Sequence, residues 1–343
     1  MDLCADELAA HLRVANLCPP FRRLFSKLRL PGGFNADRLL NRQFLYPLYL
    51  SKLQKKFDCF HIVDHSYAQL VHHLPRARTG VYCHDLDAFR CILEPSSERR
   101  PHWFRAMSRR ILTGMQKAAI IFYNSKQTYD QIVKYQLVDS KKLTFAPLGV
   151  SSEFNHQSFS SVPWLDSISQ PFVLHVGSCI ARKRVDVVLD TLARLRTNFP
   201  EIRLVKVGGD FTSDQVEKIE SLNLAKSIVH KKSIPRTELA ECYRRARVVL
   251  VSSESEGFGL PVIEALACGS LVVASDIAPL RESGSDAVIF LPVADITAWT
   301  NCLTKILSGE MSVPSITNRL NSASRYSWEK HSQIILDAYL SLA

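Results

Sequence analysis

Ten short apolar runs, bounded by turn residues and separated by longer amphipathic stretches, constrain this chain more than any other feature. Four lie in the first half: CFHIVDH (59–65), TGVYCH (79–84), AAIIFYNS (118–125) and KLTFAPLG (142–149). Six follow: PFVLHVGS (171–178), IRLVKVGG (202–209), SIVHKKS (227–233), RVVLVSS (247–253), LVVASD (271–276) and AVIFLP (287–292). Near-continuous hydrophobicity over so few residues suits strands buried on both faces, as in a parallel sheet. Residues 103–117, 126–137 and 184–198 read as helices between them. In the last, Val185, Val188, Leu189, Leu192 and Leu195 form one stripe, and Pro200 lies beyond its end. This alternation predicts an α/β, doubly wound fold, and two series predict two domains facing each other across a cleft.

The Ser-rich stretch 151–170 reads as a linker. It divides the chain into an N-terminal domain, 1–163, completed by a C-terminal helix within 325–343, and a second domain, 164–324. A first helix is expected over 2–15, where Leu8, Leu12 and Ala15 share a face. Residues 16–58 read as irregular, broken by Pro19-Pro20 and Pro31-Gly32-Gly33.

No apolar run approaches the ~18–20 residues of a membrane span. The opening MDLCADELAAHLR carries acids where a secretory signal has a basic region, and the nine scattered cysteines form no CxxC pair. Both observations predict a cytoplasmic protein without a disulfide framework or zinc ribbon. Net charge is +10, concentrated between residues 13 and 56, where ten Lys or Arg face one acid, Asp37. Such a patch fits a nucleic acid, an anionic membrane or a phosphorylated substrate. No nucleic-acid recognition motif accompanies it, so nucleic acid ranks last.

The stretch Ser253 to Gly269, SESEGFGLPVIEALACG, follows a strand. Gly257 and Gly259 allow a tight loop whose backbone approaches a ligand closely. Pro261 suits the start of a helix and Gly269 its end. Glu256 then sits on the loop and Glu264 in the first helical turn, at the carboxyl end of a strand where open α/β sheets bind ligands. A helix N-terminus there offers N–H groups and partial positive charge to an anion.

This stretch resembles the EGFGLPxxEAxAxG pattern of glycosyltransferase family 4, the large retaining family with the two-domain, Rossmann-like GT-B fold. VGSCIARKRVDVVLDTLARL (176–195), LVKVGGD (204–210), SDIAPLRESGSDAVIFLP (275–292) and RYSWEK (325–330) are similar to further segments of the family, and VYCHDL (81–86) to its acceptor domain. The resemblance covers roughly 59–340. The family opens with a strand and a glycine-rich loop; this chain opens on a helix, so the first strand of the N-terminal domain is missing from the pattern.

The resemblance implies a retaining, metal-independent glycosyltransferase that moves a sugar from a nucleoside-diphosphate sugar to a saccharide or lipid-linked acceptor, with no separate cofactor. Glu264 would bond the ribose and Glu256 the hydroxyls of the transferred sugar. The backbone of Gly257, Phe258, Gly259 and Leu260 would line the sugar diphosphate, with Gly177 and Ser178 as further phosphate contacts. Arg182 and Lys183 would neutralise the leaving diphosphate, whose charge grows in the transition state. His84 would reach toward the donor sugar. A catalytically impaired nucleotide-sugar-binding relative and a sugar-nucleotide epimerase of the same fold are the alternatives.

Asp85-Leu86-Asp87 spells DxD, a metal triplet of the other main glycosyltransferase fold, but the two-series architecture argues against that use. His61 and His65 lie ~13 Å apart on a strand, too far for one ion, so no metal site is expected. In the 13–56 patch the cations interleave with Phe21, Phe25, Phe34, Phe44, Tyr46 and Tyr49. That mixture predicts peripheral contact with an anionic membrane surface. If the aromatics are core instead, only a basic surface remains.

Overall fold

All ten apolar runs form strands in the computed structural model, and every pairing among them is parallel. The structure describes residues 2–29, 32–157, 159–169 and 171–342; Met1, Leu30, Pro31, Ser158, Gln170 and Ala343, including one residue of the expected Pro31 breaker, lie outside the described residues. The chain divides into two units, Met1–Leu148 with Trp328–Ala343, and Gly149–Ser327.

The first unit holds β1 (Phe60–Ile62), β2 (Thr79–Cys83), β3 (Ile120–Tyr123) and β4 (Leu143–Phe145) in that spatial order. Among the described residues, 2–58 contribute no strand, so β1 ends the sheet. The final helix, Trp328–Leu340, belongs to this unit. Its Tyr339 hydroxyl donates to the Phe60 carbonyl (2.7 Å) and accepts from the Gly80 N–H (3.0 Å).

Residues 33–51, expected to be irregular, are instead almost continuously helical: Gly33–Leu40, a wide turn over Asn41–Leu45, and Tyr46–Ser51. Gly32, at φ +72°, starts the helix rather than merely breaking the chain. Pro47 is tolerated because it falls in the first turn of the last segment, where its missing N–H is not needed.

The second unit holds β5 (Phe172–Val176), β6 (Arg203–Val207), β7 (Ile228–Lys231), β8 (Val248–Val251), β9 (Val272–Ser275) and β10 (Ile289–Leu291), in the order β10-β9-β8-β5-β6-β7. This is a doubly wound sheet whose order reverses between β5 and β8. Phe172 and Leu174 enter the core on one face while Val173 enters the other, as a two-residue period requires. The predicted stripe of Val185–Asn198 is buried against that second face.

The predicted linker belongs to the second unit, which begins at Gly149 rather than 164 and ends at Ser327 rather than 324. Its Ser-rich composition hid apolar anchors: Phe154, Val162 and Leu165 are buried in the core. The Trp164 indole donates to Glu238 (2.7 Å). Val150 and Ser327 pair beside one another where the chain enters and leaves the unit. No helix among the described residues is long and apolar enough to cross a membrane.

Candidate functional site

Because β5 and β8 are parallel neighbours at the point of reversal, the loops at their carboxyl ends emerge side by side. The first runs through Gly177, Ser178 and a tight turn at Ala181–Lys183; the second runs from Ser252 to Gly259. Backbone and side chain lock them together. The Glu254 N–H donates to the Arg182 carbonyl (2.9 Å), and the Ser252 hydroxyl donates to the carbonyls of Lys183 (2.8 Å) and Arg184 (3.0 Å).

Three of the predicted charged residues meet here. Lys183 Nζ donates to Glu256 Oε1 (2.5 Å), and Ser253 Oγ donates to the same oxygen (2.6 Å). Arg182 reaches Glu256 Oε2 at 3.5 Å and the Ser255 carbonyl at 2.8 Å. Glu256 is only 8% exposed. A carboxylate so buried needs charged and hydrogen-bonding partners to offset lost hydration. Its partners come from both loops, so the ion pair also fixes their relative position.

The helix Leu260–Ala267 starts one residue before Pro261, which makes Glu264 the fifth residue, opening the second turn rather than lying in the first. Gly259 sits at φ +105°, and a Cβ there would lie 2.8 Å from both Leu280 Cδ2 and Ser283 Oγ. Only glycine fits this entry into the helix. The side chain of Phe258 is buried edge-on against Tyr326 (5.4 Å between centroids), so its ring is taken up in packing. Glu264 Oε2 accepts from the Tyr243 hydroxyl (3.0 Å). Burial pushes the Glu264 carboxyl from its ordinary 4.5 up to about 7, with Tyr243 and Arg236 opposing the rise.

Two residues that the sequence reading passed over support the loops from below. Lys206 on β6 is fully buried, and its ammonium donates to the carbonyls of Gly177 (2.6 Å), Val207 (3.2 Å) and Gly208. The loop after β6 packs backbone to backbone on the first: a Cβ on Gly208, at φ +93°, would lie 2.8 Å from the Gly177 carbonyl oxygen. His175 pairs in register with Lys206 and is also buried. Burial first, then the charges of Lys206 and Lys183, push the His175 imidazole down to about 3, so it is neutral. A lysine inside the otherwise apolar run LVKV (204–207) was the signal for this support.

His84 belongs to the first unit, immediately after β2. Its Nε2 lies 2.8 Å from the Val63 carbonyl, which can only accept, so Nε2 carries the hydrogen. Its backbone N–H donates to His65 Nδ1 (3.4 Å). Burial is the main cause holding His84 down at about 4. In the DxD triplet, Asp85 Oδ1 accepts the Asp87 N–H (3.0 Å). Among the described residues no three His, Cys, Asp or Glu side chains gather as a metal-holding group.

Residues 4–154 match the family described as Glycosyltransferase Family 4, and residues 165–327 match Glycosyl transferases group 1. A D-inositol 3-phosphate glycosyltransferase of Xylanimonas cellulosilytica is 31% identical over 180 residues, 50% of this chain and 42% of the relative. The O-antigen chain mannosyltransferase B of Escherichia coli is 26% identical over 281 residues, 79% of this chain and 71% of the relative. The chain spans about half the length of the first curated relatives it matches. Among solved structures, Anabaena Alr3699/HepE in complex with UDP and glucose shares the fold at a TM-score of 0.72 and 16% identity, covering 88% of this chain and 82% of that one. With both halves matched in turn, the chain belongs to glycosyltransferase family 4 and has the GT-B fold.

Proposed function

We propose that this protein is a retaining, metal-independent glycosyltransferase whose second unit binds a nucleoside-diphosphate sugar. The observation that carries the reading is the meeting of Arg182, Lys183 and Glu256 beside the helix Leu260–Ala267, at the reversal point of a doubly wound sheet. Two fixed cations and a helix N-terminus together suit a diphosphate. Lys183 has three N–H donors, and Glu256 takes one, so the ammonium can serve a phosphate oxygen as well. Glu256 then accepts from hydroxyls of the donor sugar, and Glu264 accepts from the ribose.

The acceptor, a saccharide or lipid-linked hydroxyl, attacks the anomeric carbon on the face that the diphosphate leaves. The bond from the anomeric carbon to the diphosphate oxygen breaks, the new glycosidic bond forms, and the acceptor proton passes to the leaving diphosphate oxygen. Configuration is retained without a covalent enzyme intermediate. Lys183 and Arg182 stabilise the charge gathering on the diphosphate. HepE, of the same fold, was solved with UDP and glucose, which makes uridine donors the first to try. The test is transfer from UDP-, GDP- and ADP-sugars to a saccharide panel in EDTA, with the anomeric configuration of the product read by NMR. A retained product in EDTA supports the proposal. Inversion, a strict metal requirement, or epimerised donor without transfer would each overturn it.

A further inference from the structure

The ten exposed large apolar side chains between Val14 and Tyr49 are nearly half of the twenty-one found among the described residues. Leu28 is 69% exposed, Leu48 62% and Phe44 60%. Scattered single apolar residues are ordinary on a surface; this density is not. Of the six interleaved aromatics, Phe21, Phe25, Phe34, Phe44 and Tyr49 are exposed and only Tyr46 packs against the core, so the alternative in which they are all core does not hold.

The segment is also built to hold that surface still. Asp37, its one acid, is fully buried. Its Oδ1 accepts the N–H groups of Leu24 (2.8 Å) and Phe25 (2.9 Å), and its Oδ2 accepts the N–H (2.9 Å) and hydroxyl (2.5 Å) of Ser26. Asn41, one turn on, clamps Arg22 in both directions at 2.7 Å and donates to the Asp37 carbonyl at 2.7 Å. Two buried polar side chains of one helix therefore fix the loop 22–26, whose own side chains Arg22, Arg23, Leu24 and Phe25 point to solvent. Burial works to raise the Asp37 carboxyl, and the Ser26, Phe25 and Leu24 bonds outweigh it and hold it well below its ordinary value. The carboxylate is thus consumed inside the fold, and nine of the ten cations between 13 and 56 remain on the exposed surface with no acid of that segment among them.

We infer that the loop 21–29 and the helices of 33–51 form a preorganised docking face for an anionic lipid bilayer, into which Leu24, Leu28, Phe34, Phe44 and Leu48 insert while the flanking Lys and Arg meet the headgroups. Charge complementarity selects the anionic surface. The exposed aliphatic and aromatic groups select a bilayer over a nucleic acid, because they find an apolar layer only there. This face stands independently of the transfer proposed for the second unit.

The test is co-sedimentation of the full chain with vesicles of phosphatidylcholine alone or with 30% phosphatidylglycerol, at low and high salt. The expected result is partition onto the anionic vesicles that weakens with salt. Replacing Arg22, Arg23, Lys27 and Arg29 by Gln should weaken it roughly 100-fold or more. The pair Leu24→Ser and Leu28→Ser should weaken it at least about tenfold. Asp37→Asn, which keeps every exposed side chain, should weaken it several-fold, with folding checked by circular dichroism. If Asp37→Asn does not fold, the two exposed-residue variants decide alone. Equal partition onto neutral and anionic vesicles, or partition indifferent to both exposed-residue variants, overturns the inference. So does a dimer in light scattering, or tight binding to duplex DNA, that these variants abolish while vesicles are not bound.

Discussion

Lys183 of the loop after β5 and Glu256 of the loop after β8 are joined by a 2.5 Å hydrogen bond. They lie 73 residues apart in sequence, and only the parallel pairing of β5 with β8 brings them together. The pair couples the diphosphate side of the proposed site to its sugar side.

Lys183→Ala should lower kcat at saturating donor by ~10²–10³, the range for removal of a group that stabilises transition-state charge. It also leaves Glu256 with only Arg182 and Ser253 to offset its burial, so a lower Tm should accompany the loss. Steady-state kinetics with a calorimetric melt checks both. An unchanged kcat would remove Lys183 from the diphosphate role.

Donor binding should strengthen as pH rises through about 7, because the ionised Glu264 is the stronger acceptor for the proposed ribose contact. The same group acts on stability in the opposite direction. Its folded value of about 7 lies above the ordinary 4.5, so between these limits the folded state binds more protons than the unfolded. Glu264 therefore destabilises the fold progressively as pH rises through that window. Glu264→Gln should flatten both dependences, raising Tm at pH 8 while weakening nucleotide binding. Titration calorimetry and melts at pH 5.5 and 8 read the two signs.

Acid should destabilise the first unit more than the second. Burial holds His61 at about 3, and His84 and His331 at about 4, all in the first unit, against His175 at about 3 in the second. The unfolded chain takes up these protons near 6.5, so stability is lost as pH falls from there toward 4. Scanning calorimetry between pH 7 and 4.5 should show the first unit's transition moving down further. Equal shifts in both transitions would contradict this.

Gly259→Ala should cost about 2–4 kcal/mol, from a left-handed backbone and a Cβ driven into Leu280 and Ser283. Lys206→Met tests a different kind of support. It should lower kcat/KM by about 10–100-fold through misplaced loops, because the Lys206 ammonium donates to the backbone carbonyls of Gly177 and Val207. Denaturant unfolding and kinetics on the two variants separate the effects.

The strands were legible because buried parallel strands need continuous apolar runs, and Glu256 and Glu264 because glycine and proline mark the turn between them. Other features depend on contacts distant in sequence. Nothing local marks Lys206 as the clamp on the Gly177 and Gly208 carbonyls, except its place in an apolar run. The helix over 33–51 was hidden by Gly32 and Pro47, yet Gly32 starts it and Pro47 lies just after the wide turn over Asn41–Leu45. Phe154, Val162 and Leu165 were hidden by serine-rich neighbours, although each packs in the core of the second unit.

The central claim is that the loops of β5 and β8 bind a nucleoside diphosphate through Lys183 and Glu264. Titration calorimetry of the full chain with UDP, GDP and ADP in EDTA tests it most directly, repeated on Lys183→Ala and Glu264→Ala. Saturable binding of at least one diphosphate, weakened by both substitutions, is the predicted result. No binding of any of the three, or binding that neither substitution changes, would contradict it.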